Sequence, residues 1–156
     1  MPTLVLLRHA KSAYPDGVSD HDRPLSERGR REAPIAGALL GERVPSFDSV
    51  LVSTGLRAQQ TWQAVAPYVR VGEQLDRPDL YLANSEDLLA VVRQLPAAAS
   101  TALFVGHNEG IEELASALSG VPVTMKTSTF AILRCAAPWG AWPKGLATLD
   151  EVVVAC

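Results

Sequence analysis

Three short, largely apolar runs, Thr3–Leu7 (TLVLL), Phe47–Val52 (FDSVLV) and Thr101–Val105 (TALFV), constrain this chain more than any other feature. Runs of this length read as strands covered on both faces, because a strand with one wet face would alternate apolar and polar residues. Helical patterns lie between and after them. Ser26 is a plausible cap for a helix to about Val44, which Pro34 should kink or shift. Residues 55–69 put Ala58, Trp62, Val65, Ala66 and Val69 on one face. Ser85 is placed to cap a helix carrying Leu88, Val92 and Leu95, and Asn108 one carrying Ile111, Leu114, Ala115 and Leu118. Simple core packing accounts for these stripes. Two late strands are expected over Ser128–Cys135 and Ala147–Ala155, joined by a Pro- and Trp-containing surface connection, Ala136–Lys144. Strands alternating with helices predict an α/β fold, a three-layer α/β/α sandwich with a mostly parallel central sheet. With no repeat, low-complexity tract or long charge block, 1–156 is expected to form a single domain.

The three runs end alike. The first enters Arg8-His9, the second Ser53-Thr54-Gly55-Leu56-Arg57, the third Gly106-His107-Asn108. In an open parallel sheet the functional crevice lies beyond the carboxyl ends of the strands, so two arginines and two histidines should meet on one rim. Helix N-termini after the second and third runs would add free N–H groups and positive dipole ends. This suits a dianionic phosphoryl group, since guanidinium is a planar fork that binds two oxygens and stays charged. Taken singly, each residue is ordinary: an arginine at a strand end is commonly solvated, and a lone histidine is more often structural than catalytic. The convergence of four changes that balance.

Other chemistries fit less well. His9, His21 and His107 could be gathered around a metal, but Arg8 and Arg57 would repel it. At about 4 Å and an effective dielectric of about 20, each like-charge pair costs about 4 kcal/mol. No ligand spacing points to a metal, and no cofactor is called for. A net charge of −3 argues against a nucleic-acid surface. The apolar stretch ending at Arg8 is too short for a signal peptide or a membrane span. The two cysteines, Cys135 and Cys156, have no pairing or metal spacing, which fits a reducing, cytoplasmic setting.

The segment RHAKS, Arg8 to Ser12, resembles the histidine phosphatase superfamily, the phosphoglycerate-mutase-like fold. Ala10 matches the short SixA-type phosphohistidine phosphatases, where the wider superfamily usually has glycine. HDRPLSERG (His21–Gly29), STGLRAQQT (Ser53–Thr61) and VGHNEGIEEL (Val105–Leu114) follow in the family's order, so the resemblance covers nearly the whole chain. It implies that His9 is the nucleophile and that Arg8, Arg57 and His107 complete a phosphate pocket. Arg23 matches a position that often helps bind phosphate, Ser12 is a possible further donor, and His21 reads as a solvated loop residue. A neutral His9 nitrogen would attack phosphorus to form a phosphohistidine that water hydrolyses. His107 is expected to hydrogen-bond a phosphoryl oxygen, a role open to its protonated form.

One departure bears on substrate. The stretch where many relatives carry an acid is here Arg77-Pro78-Asp79-Leu80-Tyr81, and Asp79 reads better as a turn residue than as the match. An alkoxide leaving group needs a proton badly. An imidazole, with a pKa near 6.5, departs with less help, which favours phosphohistidine. At 156 residues there is no room for a large insertion over the pocket, so a phosphorylated protein, such as a histidine phosphotransfer domain, could reach it. A small-molecule phosphomonoesterase or mutase, and a phosphate- or phosphopeptide-binding module without turnover, are the competing readings.

Overall fold

The computed structural model describes residues 1–155. Its elements run β1 (Thr3–Arg8), α1 (Glu27–Arg43), β2 (Ser46–Ser53), α2 (Leu56–Val65), β3 (Arg70–Arg77), α3 (Ser85–Arg93), β4 (Thr101–Gly106), α4 (Gly110–Ser119), β5 (Thr129–Arg134) and β6 (Thr148–Val154). The strands form one sheet in the order β3-β2-β4-β1-β5-β6. β3, β2, β4 and β1 are parallel, and β5 is antiparallel to both of its neighbours.

Alternation along the strands builds two cores. Leu4, Leu6, Ala102, Phe104, Ala131 and Leu133 face α3 and α4. Val5, Leu7, Leu103, Val105, Phe130 and Ile132 face α1 and α2. Because both faces are covered, the period-2 signal vanishes and the strands read as continuous apolar runs. The three-layer α/β/α arrangement and mostly parallel sheet are as the sequence predicts.

Several boundaries move. α1 starts where Ser26 Oγ accepts from the Gly29 N–H at 3.1 Å, and it continues through Pro34 to Arg43. α2 ends at Val65 and passes into a 3-10 turn, Ala66–Tyr68, in which Pro67 cannot donate to an α-helical ladder. Asn84, not Ser85, caps α3, its side chain accepting from Asp87 N–H at 2.8 Å. Asn108 does not cap α4, which begins at Gly110 without a side-chain cap. β3 was not predicted: RVGEQLDR has no apolar run because it is an edge strand paired with β2 alone, with Val71 and Leu75 exposed. The connection Ala136–Lys144 runs over the surface, with Ala136, Gly140, Ala141 and Lys144 exposed, but it is more than a surface connection, since Trp139 and Trp142 are buried in the core beside α3 and α4. Cys135 is partly buried, while Cys156 lies outside the described residues.

The strand order sets the site. β4 lies between β1 and β2, with Arg8 in register with Gly106, so the loops leaving all three strands open onto the same edge. A close approach holds the first loop: a Cβ on Gly29 would sit 2.1 Å from the Lys11 carbonyl oxygen. Glycine is what lets α1 press against the segment after His9.

Candidate active site

All six residues singled out from the sequence, Arg8, His9, Ser12, Arg23, Arg57 and His107, line one cavity of about 160 Å³ at this edge. His9 is 6% exposed, Arg57 4% and His107 2%. His9 Nδ1 lies 2.7 Å from the Ala10 carbonyl, which accepts only if that nitrogen carries the proton. Nε2 is therefore the nitrogen with a lone pair, and the Arg57 Nε–H points at it from 3.3 Å. Thr61 steadies both sides of this contact, accepting from the Ala10 N–H at 2.9 Å and donating to the Arg57 carbonyl at 2.7 Å.

Burial is the main reason the His9 pKa falls to about 4, and the Arg57, Arg8 and Arg23 charges push the same way against the Ala10 hydrogen bond. The imidazole is thus a free base at neutral pH. His107 stands 5.2 Å away between ring centroids, its Nε2 2.7 Å from Ser53 Oγ. Burial, then the neighbouring His9 and Arg57, bring its pKa to about 3. The protonated form that the sequence reading left open is therefore not that of the free protein. With the proton on Nδ1, the Ser53 hydroxyl donates to Nε2, and Nδ1–H, buried and without a partner, is free to meet an oxyanion.

These shifts carry a prediction. Between pH 6.5 and about 4 for His9, and about 3 for His107, the unfolded chain binds protons that the folded chain refuses, so stability is full above 6.5 and falls with pH. For His9 alone the loss reaches roughly 3 kcal/mol once the pH is below its folded pKa. Urea unfolding at pH 7, 5.5 and 4 reads this directly, and a flat midpoint would contradict both assignments.

A family model described as the histidine phosphatase superfamily (branch 1) matches residues 4–79. An uncharacterised protein of Mycobacterium tuberculosis is 37% identical, over 92% of this chain and 96% of its own length. The chain belongs to the histidine phosphatase superfamily. Among solved structures, the proposed phosphohistidine phosphatase SixA of Nakamurella multipartitia is 33% identical with a TM-score of 0.85, covering 99% of this chain and 96% of that one. The protein histidine phosphatase SixA in complex with tungstate shares the fold at 24% identity and a TM-score of 0.84, over 99% and 97% of the two chains.

Within this histidine phosphatase fold the sequence reading missed Asp20. Its carboxylate accepts from Arg57 at 3.1 Å and from Arg23 at 2.8 Å, its backbone carbonyl accepts a further Arg57 hydrogen at 2.7 Å, and the Tyr81 hydroxyl donates to it. The Tyr81 hydrogen bond and the two guanidiniums hold the Asp20 pKa at about 2, so it orients the arginines and has no proton to give. Its short 3-10 segment, Asp20–Asp22, offers no periodicity to read. Tyr14 also escaped notice; Arg23 lies 3.8 Å over its ring. His21 is more than a solvated loop residue: Nε2 is 3.0 Å from Thr54 Oγ1, and the ring meets Tyr81 edge-on. Asp79 lies away from the cavity, paired with Arg77 at 2.9 and 2.6 Å, and that partner lowers its pKa. Among the described residues no cluster of three His, Cys, Asp or Glu is arranged to hold a metal, and no helix is long and apolar enough to cross a membrane.

Proposed function

We propose that this protein is a phosphatase that passes the phosphoryl group through His9 and acts on phosphohistidine carried by another protein. The observation that carries the reading is the pinned His9 ring: Nδ1 is tied to Ala10, Nε2 is unprotonated, and the pocket around it is lined by three arginines. Arg8 Nε and His107 Nδ1, both buried and unpartnered, offer hydrogens to the phosphoryl oxygens. Nε2 attacks phosphorus, the bond to the leaving group breaks, and water then releases phosphate from His9. A phosphoryl oxygen that takes over the Arg57 Nε–H frees the lone pair as the substrate arrives. Catalysis of this kind is positioning and charge stabilisation.

What lines the cavity supports this substrate class. Among the described residues no carboxylic acid lines it, and Asp20, whose carboxylate holds Arg57 and Arg23, is ionised. General acid catalysis contributes about 10²–10⁴-fold, which alkoxide leaving groups would lose here and imidazole largely would not. The 33% identical neighbour, itself a proposed phosphohistidine phosphatase, agrees with this choice. The test is a panel: a phosphohistidine protein and phosphoramidate against phosphoglycerate and other phosphoesters, with acid-labile label sought on His9. Phosphoramidate-type substrates are expected to turn over at least about 10²-fold faster. Equal turnover of phosphoesters would move the assignment to a small-molecule phosphomonoesterase or mutase. Binding of phosphate with no label and no turnover would make the protein a recognition module.

A further inference from the structure

Three of the buried side-chain atoms without a hydrogen-bond partner belong to residues lining the active-site cavity: Arg8 Nε, His107 Nδ1 and Asn108 Oδ1. The first two can give hydrogens to a phosphoryl group. The third cannot, since an amide oxygen only accepts. Its orientation is fixed by its own amide nitrogen. Asn108 Nδ2 donates to the Met125 carbonyl at 2.9 Å and faces Glu112 Oε2 at 3.4 Å, and that carboxylate also accepts from the Met125 N–H at 2.8 Å. Turning the amide over would set its oxygen against a carbonyl and a carboxylate. The Met125 carbonyl also accepts from Arg8 at 3.0 Å, so Asn108 is braced beside one of the phosphate-facing arginines.

Asn108 lines a cavity otherwise rich in donors, and a buried, unpartnered acceptor in its wall repels phosphoryl oxygens and needs a hydrogen from something else. An unmatched buried acceptor is costly. The reaction supplies a hydrogen-bearing atom in its second step, when water takes the place left by the departed imidazole. Asn108 is also the one residue lining the cavity, among those described, whose side chain ends in a carbonyl or carboxylate. We propose that Asn108 Oδ1 accepts a hydrogen bond from the water that hydrolyses phospho-His9 and so aims its lone pair at phosphorus. This rests on the reading of His9 as the phosphoryl carrier. The water oxygen bonds to phosphorus, the P–Nε2 bond breaks with its electron pair returning to Nε2, and a water proton ends on the released phosphate. Asn108 orients and takes no proton. In a loose phosphoryl-transfer transition state that is enough, because the nucleophile needs direction more than deprotonation.

Rapid-quench kinetics with radiolabelled phosphoramidate separates the two steps. In Asn108→Ala, label is expected to appear on His9 at nearly the wild-type rate and to decay on the order of 10- to 100-fold more slowly, so that phosphoenzyme accumulates. Asn108→Leu, which keeps the side chain's size but has no acceptor, carries the same comparison if the alanine variant does not fold. Decay at the wild-type rate, slowing of both steps alike, or slowing of formation alone each overturns the proposal. Absence of any label on His9 in the wild-type protein overturns the phosphatase reading itself, and this inference with it.

Discussion

Alanine in place of His9 is expected to abolish turnover, by on the order of 10⁴-fold or more, and to remove all phosphoryl label from the chain. The size follows from the loss of the one atom to which phosphorus would bond, which well-placed arginines do not replace. The fold should survive. The His9 N–H donates to Gly106 at 3.0 Å and its carbonyl accepts from Ser128 at 3.2 Å, and both are backbone bonds that alanine keeps. Arg57 loses its contact with the ring but stays tied to Asp20. The variant should also resist acid better than the wild type. It removes one group that the unfolded chain protonates below pH 6.5 and the folded chain does not until about 4. Activity, label and urea midpoints at pH 7 and 4 check the three parts separately. Residual turnover above about a hundredth of wild type, with label on His107, would mean that the neighbouring imidazole is a nucleophile and that the roles of the pair are reversed.

What could be read of this site in advance has a physical reason. Arg8, His9, Arg57 and His107 each follow a buried strand, and a buried strand announces itself as an apolar run. Once the runs belong to a parallel sheet, their carboxyl ends share an edge, and the charged residues beyond them converge without any knowledge of side-chain geometry. Asp20, Tyr81 and the orientation of Asn108 had no such marker. Asp20 sits in a single 3-10 turn and Tyr81 follows another, Pro78–Leu80, so neither lies on an element with a period to detect. Their importance comes from long-range meetings, Tyr81 with Asp20 and Asp20 with Arg57, that depend on where loops cross. Asn108 was legible as polar and near a helix start, which suggested a cap. Tertiary partners at Met125 and Glu112 claim its amide nitrogen instead.

The loop Ala136–Lys144 shows the same limit in the fold, and its test is a large loss of stability. Pro138, Gly140 and Pro143 give it the composition of an exposed connection, and two tryptophans among them read as an interruption. The composition described the backbone correctly and said nothing of the side chains. Trp142 is fully buried and Trp139 nearly so, their ring centroids 4.9 Å apart, and both belong to the cluster beneath α3 and α4. Their indole N–H groups are satisfied, Trp139 donating to the Ala99 carbonyl at 2.7 Å and Trp142 to the Ala137 carbonyl at 3.0 Å. Trp142→Ala is therefore expected to cost about 3–5 kcal/mol, the range for emptying a large aromatic site that collapses only in part. In a chain of this size that lowers Tm by on the order of 10 °C. Tyr14→Ala, at a ring 72% exposed, should leave stability nearly unchanged. Activity per folded molecule should survive in Trp142→Ala, because neither tryptophan lines the cavity. A cost below about 1 kcal/mol would mean that the loop behaves as its composition implies, as a surface connection whose indoles add little to the core.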